Sequence, residues 1–191
     1  MPAILLTVPA LEPLSLQEAK AYLRVEIDDD NDLIAALIVS ARVHTEARTR
    51  RALIAQTWRL TLNAWPESVR IALLPAPLRS LTAVRVYRSD GTSDAVSPDA
   101  FTLDRATAPA LVSFAPGAVP LPGRTTAGVE IEFVAGYGEA AADVPGALRQ
   151  AIRLLVAHWY ENRGLVAVGQ STNVLPETVA ALIAPYVVLS L

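Results

Sequence analysis

The sequence predicts an α+β protein: a helical bundle formed by N-terminal and C-terminal helices, with a small antiparallel β module inserted between them. Three observations carry this. Residues 144–163 place Leu148, Ile152, Leu155, Val156 and Trp159 at i, i+4, i+7, i+8 and i+11, one broad apolar stripe on a helix. A second apolar-periodic run covers residues 33–53. Between them the period changes to two and prolines and glycines accumulate, as expected of short strands and tight turns. The chain divides accordingly into an N-terminal helical part (1–56), a β module (57–142) and C-terminal helices with an apolar tail (143–191).

The elements follow in order. After an apolar, proline-bounded lead-in (residues 4–13), Ser15 and Glu18 stand at capping-box spacing and open a short helix over 16–23. Glu26, Asp28, Asp29, Asp30 and Asp32 precede the 33–53 run, and Arg48, Arg50 and Arg51 lie at its end. Acid at a helix N-terminus and base at its C-terminus complement the macrodipole, which accounts for both clusters without a ligand.

In the middle of the chain, Trp58, Leu60 and Leu62 alternate with Arg59, Thr61 and Asn63, as on a half-buried strand. Further strands are expected at 69–74, 81–88, 110–114 and 129–134, with a hairpin turn at Ser89-Asp90-Gly91-Thr92. No helical stretch separates these strands, so the sheet is antiparallel. Pro145 suits the first turn of the helix at 144–163 and Gly164 its stop. A polar connection over 164–173 leads to a short helix opened by Pro176-Glu177-Thr178. The tail Tyr186-Val187-Val188-Leu189-Ser190-Leu191 is almost wholly apolar, so it either finishes the core or docks on another subunit.

Composition limits the function. The 191 residues are 52% hydrophobic and 18% charged, which suits a folded domain. No run reaches the length of a membrane span and no secretory signal is present, so a cytosolic protein is expected. There is no cysteine, which excludes thiolate catalysis and cysteine-based zinc sites. A net charge of −3 argues against a protein that holds nucleic acid through a basic face. Of the 16 basic residues only Lys20 is a lysine, a bias that fits a GC-rich genome.

Catalytic and cofactor motifs are not found. His44 and His158 have no acidic residue at metal-ligand spacing. Asp28, Asp30 and Asp32 resemble the start of a calcium loop, but Leu33 replaces its glycine and Val39 its last glutamate. Phosphate-binding glycine loops and a nucleophile elbow are likewise missing. Neither enzyme activity, nor a cofactor, nor a metal is expected. A monomeric or dimeric binding module whose β insert recognises a protein or carbohydrate is the alternative to a structural role.

Four stretches carry a more specific resemblance: residues 14–25 with the acidic run after them, residues 47–60, Ala135-Gly136-Tyr137-Gly138, and His158-Trp159-Tyr160-Glu161-Asn162-Arg163. In this order and spacing the sequence resembles the head–tail connector (adaptor) family of long-tailed bacteriophages and gene transfer agents. The resemblance implies a structural protein of the virion neck, made in the bacterial cytoplasm. Such a protein forms a twelve-fold ring beneath the portal protein, extends the channel for double-stranded DNA without reading its sequence, and meets a downstream stopper or tail-terminator protein. It also implies that the apolar tail, Tyr186, Val187, Val188, Leu189 and Leu191, engages the portal. Within such a ring, Asp28, Asp29, Asp30 and Asp32 of one subunit could pair with Arg48, Arg50 and Arg51 of the next, or both clusters could serve the helix dipole alone.

Overall fold

The computed structural model describes residues 3–162 and 176–189. The protein is of mixed α+β class, with four α-helices and two antiparallel sheets among the described residues. Its described residues form two compact units. A β unit comprises residues 3–9, Arg50–Tyr137 and 188–189, and a helical unit comprises 10–49, 138–162 and 176–187.

In the β unit, β1 (Ile4–Thr7), β2 (Gln56–Leu62), β4 (Leu78–Tyr87), β5 (Ser93–Val96) and β8 (Val129–Ala135) make one sheet in the order β1-β2-β8-β4-β5. The second sheet contains β3 (Arg70–Leu73), β6 (Phe101–Asp104) and β7 (Ala110–Phe114) in the order β3-β7-β6. Alternation decides which side chains enter the core. Val129, Ile131 and Phe133 of β8 are buried while Glu130 and Glu132 point the other way. They share one core with Leu60, Val84 and Val86 and with Ile71, Val112 and Phe114 from the second sheet. Trp65 closes one side of it, its ring 4.9 Å from Phe114 and its Nε1 donating to the Pro120 carbonyl at 2.8 Å.

The outer face of the larger sheet is charged and paired. Arg59 and Arg85 both donate to Glu132 Oε1, at 2.6 and 2.8 Å, and Tyr87 donates to Glu130 at 2.9 Å. These are cross-strand neighbours, because β2 and β4 flank β8. At the β4–β5 hairpin, Asp90 accepts from the Thr92 backbone at 2.9 Å, and Gly91 takes the positive φ of 87° that the turn demands.

The helical unit contains α1 (Leu16–Leu23), α2 (Asn31–Thr49), α3 (Gly146–Glu161) and α4 (Glu177–Ile183). The expected capping box opens α1: Ser15 Oγ accepts from the Glu18 N–H at 3.2 Å and Glu18 accepts from the Ser15 N–H at 2.9 Å. α3 presents Leu148, Ile152, Leu155 and Val156, all buried, while α2 presents Ile34, Ile38, Ala41 and Thr45. The two helices pack directly against each other. Arg149 binds α3 to the start of α1, its Nε donating to the Pro13 carbonyl at 2.9 Å and its NH2 to Glu18 at 2.7 Å.

Several expectations are corrected by this structure. Residues 4–7 form an edge strand of the β unit, where the sequence shows only an apolar lead-in. α2 ends at Thr49, because Arg50 adopts a left-handed φ of 56° and Arg51 bridges to Ala76. Both arginines therefore lie in the β unit. Pro145 caps α3 instead of entering its first turn. Trp159 is half-buried, at the edge of the stripe, with His44 edge-on to its ring at 5.9 Å. Arg163, Gly164 and the connection at 164–173 lie outside the described residues.

Gly136 and Gly138 stand where the β unit passes into the helical unit, and each has a steric reason. Gly136 has a φ of 142°, and a Cβ there would stand 2.6 Å from the Ile54 carbonyl oxygen. At Gly138 a Cβ would collide with the Asp143 carboxylate, which accepts from the Ala140 N–H at 2.9 Å. This accounts physically for the Ala135-Gly-Tyr-Gly stretch.

Two outcomes follow from the helical unit. Buried Arg42 donates from Nε to Glu12 and from NH1 to Glu46, each at 2.7 Å. Glu46→Ala leaves that cation half-paired away from water and is expected to cost about 3 kcal/mol in urea unfolding. Arg42→Met, which leaves carboxylates with partial access to water, is expected to cost less. The second outcome concerns His44, whose pKa is lowered, chiefly by burial and secondarily by nearby Arg48. Its Nε2 is buried without a partner. Neutral imidazole is thus favoured in the fold, so its stabilising contribution is complete above the unfolded pKa of about 6.5 and is lost as pH falls below it. Melting temperature should drop with acidification in that range, and His44→Phe should remove that part of the dependence.

Candidate assembly surfaces

The acidic turn is built by its own backbone. Asp28 C=O accepts from the Asn31 N–H at 3.0 Å and Asp30 C=O from the Ile34 N–H at 2.9 Å, which starts α2. Asp28 is held by Lys20, whose Nζ donates at 2.7 Å, and by the Asn31 amide at 3.1 Å. The ammonium of Lys20 keeps the Asp28 carboxyl below its usual range. Asp30 accepts from the Tyr160 hydroxyl, which joins the turn to α3. Asp29 and Asp32 are exposed, with Asp32 in the first turn of α2.

The basic residues do not act as one group. Arg48 is exposed in the last turn of α2, so Asp32 and Arg48 are the pair placed to complement that helix's dipole. Arg50 lies beyond the helix, and the Arg51 guanidinium sits over the Tyr137 ring at 5.9 Å.

At the other end of the chain, Tyr186 is half-buried and ends a single 3₁₀ turn. Val187 and Leu189 are exposed, Leu189 by 83%, whereas Val188 between them is buried and belongs to the β unit. The extended backbone at Val187 sends successive side chains to opposite sides. One tail thus contains both a core residue and two free apolar side chains. Leu191 lies outside the described residues.

One surface was not singled out by the sequence reading. α2 is apolar on both sides, and only one side is covered within the helical unit. Leu33, Ala36, Val39, Ser40, Val43 and Ala47 share the outward side and are exposed, with Leu33 at 37%, Val39 at 42% and Val43 at 51%. The signal was present, since a helix without a polar face is a helix covered on all sides. Sequence alone does not tell which side of such a helix its neighbours cover, so the uncovered side is not marked. Among the described residues, no three His, Cys, Asp or Glu side chains are grouped so as to hold a metal ion.

The model of the phage gp6-like head–tail connector protein family matches residues 13–82. No curated protein matches the sequence. Among solved structures, a chain from the neck of an empty gene transfer agent particle, computed with C6 symmetry, is 26% identical. It matches 100% of this chain and 97% of its own length with a TM-score of 0.83. A chain from the virion of a native gene transfer agent particle is 28% identical over 100% of this chain and 97% of its own, with a TM-score of 0.81. A third, from the neck of a native particle computed with C12 symmetry, is 29% identical over 98% and 97%, with a TM-score of 0.74. The resemblance read from the sequence thus recurs in two ways: residues 13–82 match the head–tail connector family model, and the fold is similar along the whole chain to gene transfer agent neck and virion chains.

Proposed function

We propose that this protein is the structural head–tail adaptor of a phage-like particle, forming a ring under the portal that extends the DNA channel and joins the head to the neck and tail. The observation that carries this reading is the end-to-end match to a neck chain, at a TM-score of 0.83 over 100% of this chain and 97% of the other. Similar chains are found in necks computed with six-fold and twelve-fold symmetry, which supports a ring of twelve copies here. The helical bundle with an inserted β module fits this role, because it gives the subunit two folded parts to present to different neighbours. The partners in this reading are the portal protein, a downstream stopper or tail terminator, and DNA that passes without sequence-specific contact. A net charge of −3 suits a channel through which DNA slides, since strong phosphate binding would hold it back.

In this reading the exposed Val187 and Leu189 are the portal-contacting side chains of the tail, with Tyr186 beside them and Leu191 following. Buried Val188 anchors the segment to its own subunit. The acidic and basic residues proposed to join neighbouring subunits reduce to Asp29, Asp32 and Arg48, since Asp28 and Asp30 serve the acidic turn itself and Arg50 and Arg51 lie in the β unit.

Electron microscopy of purified particles should show a ring of this chain between head and tail; particles with a complete neck that lacks it would refute the adaptor role. Leu189→Glu should leave the melting temperature of the isolated chain unchanged while abolishing its retention by the portal protein. Retention equal to wild type would show that the tail is not the portal contact.

A further inference from the structure

We infer that the loop carrying Leu121 seats that side chain in an apolar groove on the helical unit of the neighbouring copy of this chain. The inference deepens the ring reading and rests on it. Leu121 stands between Pro120 and Pro122 in the connection from β7 to β8 and is 84% exposed. The loop around it is fastened on both sides. Val119 is buried in the β core, and the Pro120 carbonyl accepts from Trp65 Nε1 at 2.8 Å. Beyond Pro122, the Gly123 N–H donates to the Tyr87 carbonyl at 2.8 Å, and the Arg124 guanidinium lies 3.7 Å from the centre of the Tyr87 ring. A Cβ at position 123 would stand 2.5 Å from the Ser89 nitrogen, so the loop lies close on the β4–β5 hairpin. Leu121 thus contributes little to its own core, and a side chain presented by a fixed backbone loses less entropy on binding than one on a free loop.

The groove belongs wholly to the helical unit. Leu11, Leu14, Leu16, Ala35, Ile38 and Val39 line it, and its volume of about 460 Å³ lies in the range of pockets that accept a bulky apolar group. The carboxylates at its rim are already engaged, Glu12 with Arg42 and Glu18 with Ser15 and Arg149. An entering leucine therefore strands no charge, and the contact has an apolar centre and a polar rim.

Charge and symmetry identify the occupant. The segments of the β unit carry nine arginines and seven acidic residues, those of the helical unit seven basic residues and twelve acidic ones. Contact between the β unit of one copy and the helical unit of the next joins a net positive part to a net negative one, whereas two helical units would repel. Loop and groove are different parts of the subunit, so each copy offers one of each. Such a contact is heterologous, and repeated by rotation it closes into a ring instead of stopping at a two-fold dimer.

The chain contains no cysteine, so introduced thiols report this contact alone. Cysteine keeps a small apolar side chain at both positions tested. Particles assembled with the Ala35→Cys, Leu121→Cys double variant and treated with a short bismaleimide should give a ladder of covalent multimers of this chain on a denaturing gel. Particles built from a mixture of the two single variants should give dimers and nothing larger. Leu121→Asp should leave the isolated chain's melting temperature unchanged and lower its incorporation into particles at least tenfold.

A ring visible by electron microscopy, together with double-variant chains that stay monomeric, link only within one chain or join another particle protein, would overturn the inference and leave the ring reading standing. Wild-type incorporation of Leu121→Asp would overturn it as well. Particles in which this chain forms no ring would instead remove the ring reading, and this contact with it.

Discussion

The packing of α3 on α2 is the contact on which the helical unit depends. The two helices come from segments before and after the β unit in sequence, with the chain from Arg50 to Tyr137 between them. Bringing such distant segments together costs closure entropy, although that cost rises only slowly with loop length. Two features limit it here. The intervening residues fold on a core of their own, so the closing segment is not a free coil. Arg149, reaching the Pro13 carbonyl and Glu18, then fixes α3 against the start of α1 at a single register. Buried Leu148, Ile152, Leu155 and Val156 supply the apolar area that holds the contact shut.

The two units handle their surfaces differently. On the larger sheet, Arg59, Arg85, Glu130, Glu132 and Tyr87 bind one another across β2, β8 and β4, which gives that face a settled pattern of its own. In the helical unit the buried cation Arg42 is matched by Glu12 and Glu46, and the outward side of α2 is left apolar. A monomeric helical protein would place charge on that side for solubility. An exposed apolar stripe of this kind suits a surface that packs against another molecule.

Sequence reasoning succeeded where a local rule and the tertiary contact agree. Ser15 and Glu18 form the expected capping box, and α1 begins and ends as expected. The strands β2, β3, β4, β7 and β8 were all legible from their apolar alternation, because each buries one face in the shared core. β1, β5 and β6 were not. β1 is apolar from Ile4 to Leu6 and exposed at every residue, so no buried face marks it, and Ser93 to Val96 in β5 do not alternate apolar with polar. Phe101 and Leu103 of β6 do alternate with Thr102 and Asp104, but over four residues such a period is too short to stand out from a loop. The end of α2 was misjudged for a related reason. Residues 50–53 remain apolar or basic, as a helix would, yet Arg50 turns left-handed and Ala52 bonds to the Ala76 carbonyl at 2.8 Å.

By itself the sequence determined the α+β class, the helical ends, the alternating middle and the resemblance to connectors, since periodicity, capping residues and motif order are all local properties. It also determined that the acidic run and the arginines bracket one helix. Only the tertiary structure decided which of those charges are already engaged: Asp28 with Lys20, Asp30 with Tyr160, Arg51 over Tyr137. It likewise decided that Val188 is core while Val187 and Leu189 are surface, and which side of α2 is left uncovered. The reason is that exposure is a property of what packs against a residue, and some of the decisive partners lie far off in the chain, Tyr160 130 residues from Asp30 and Arg149 136 from Pro13.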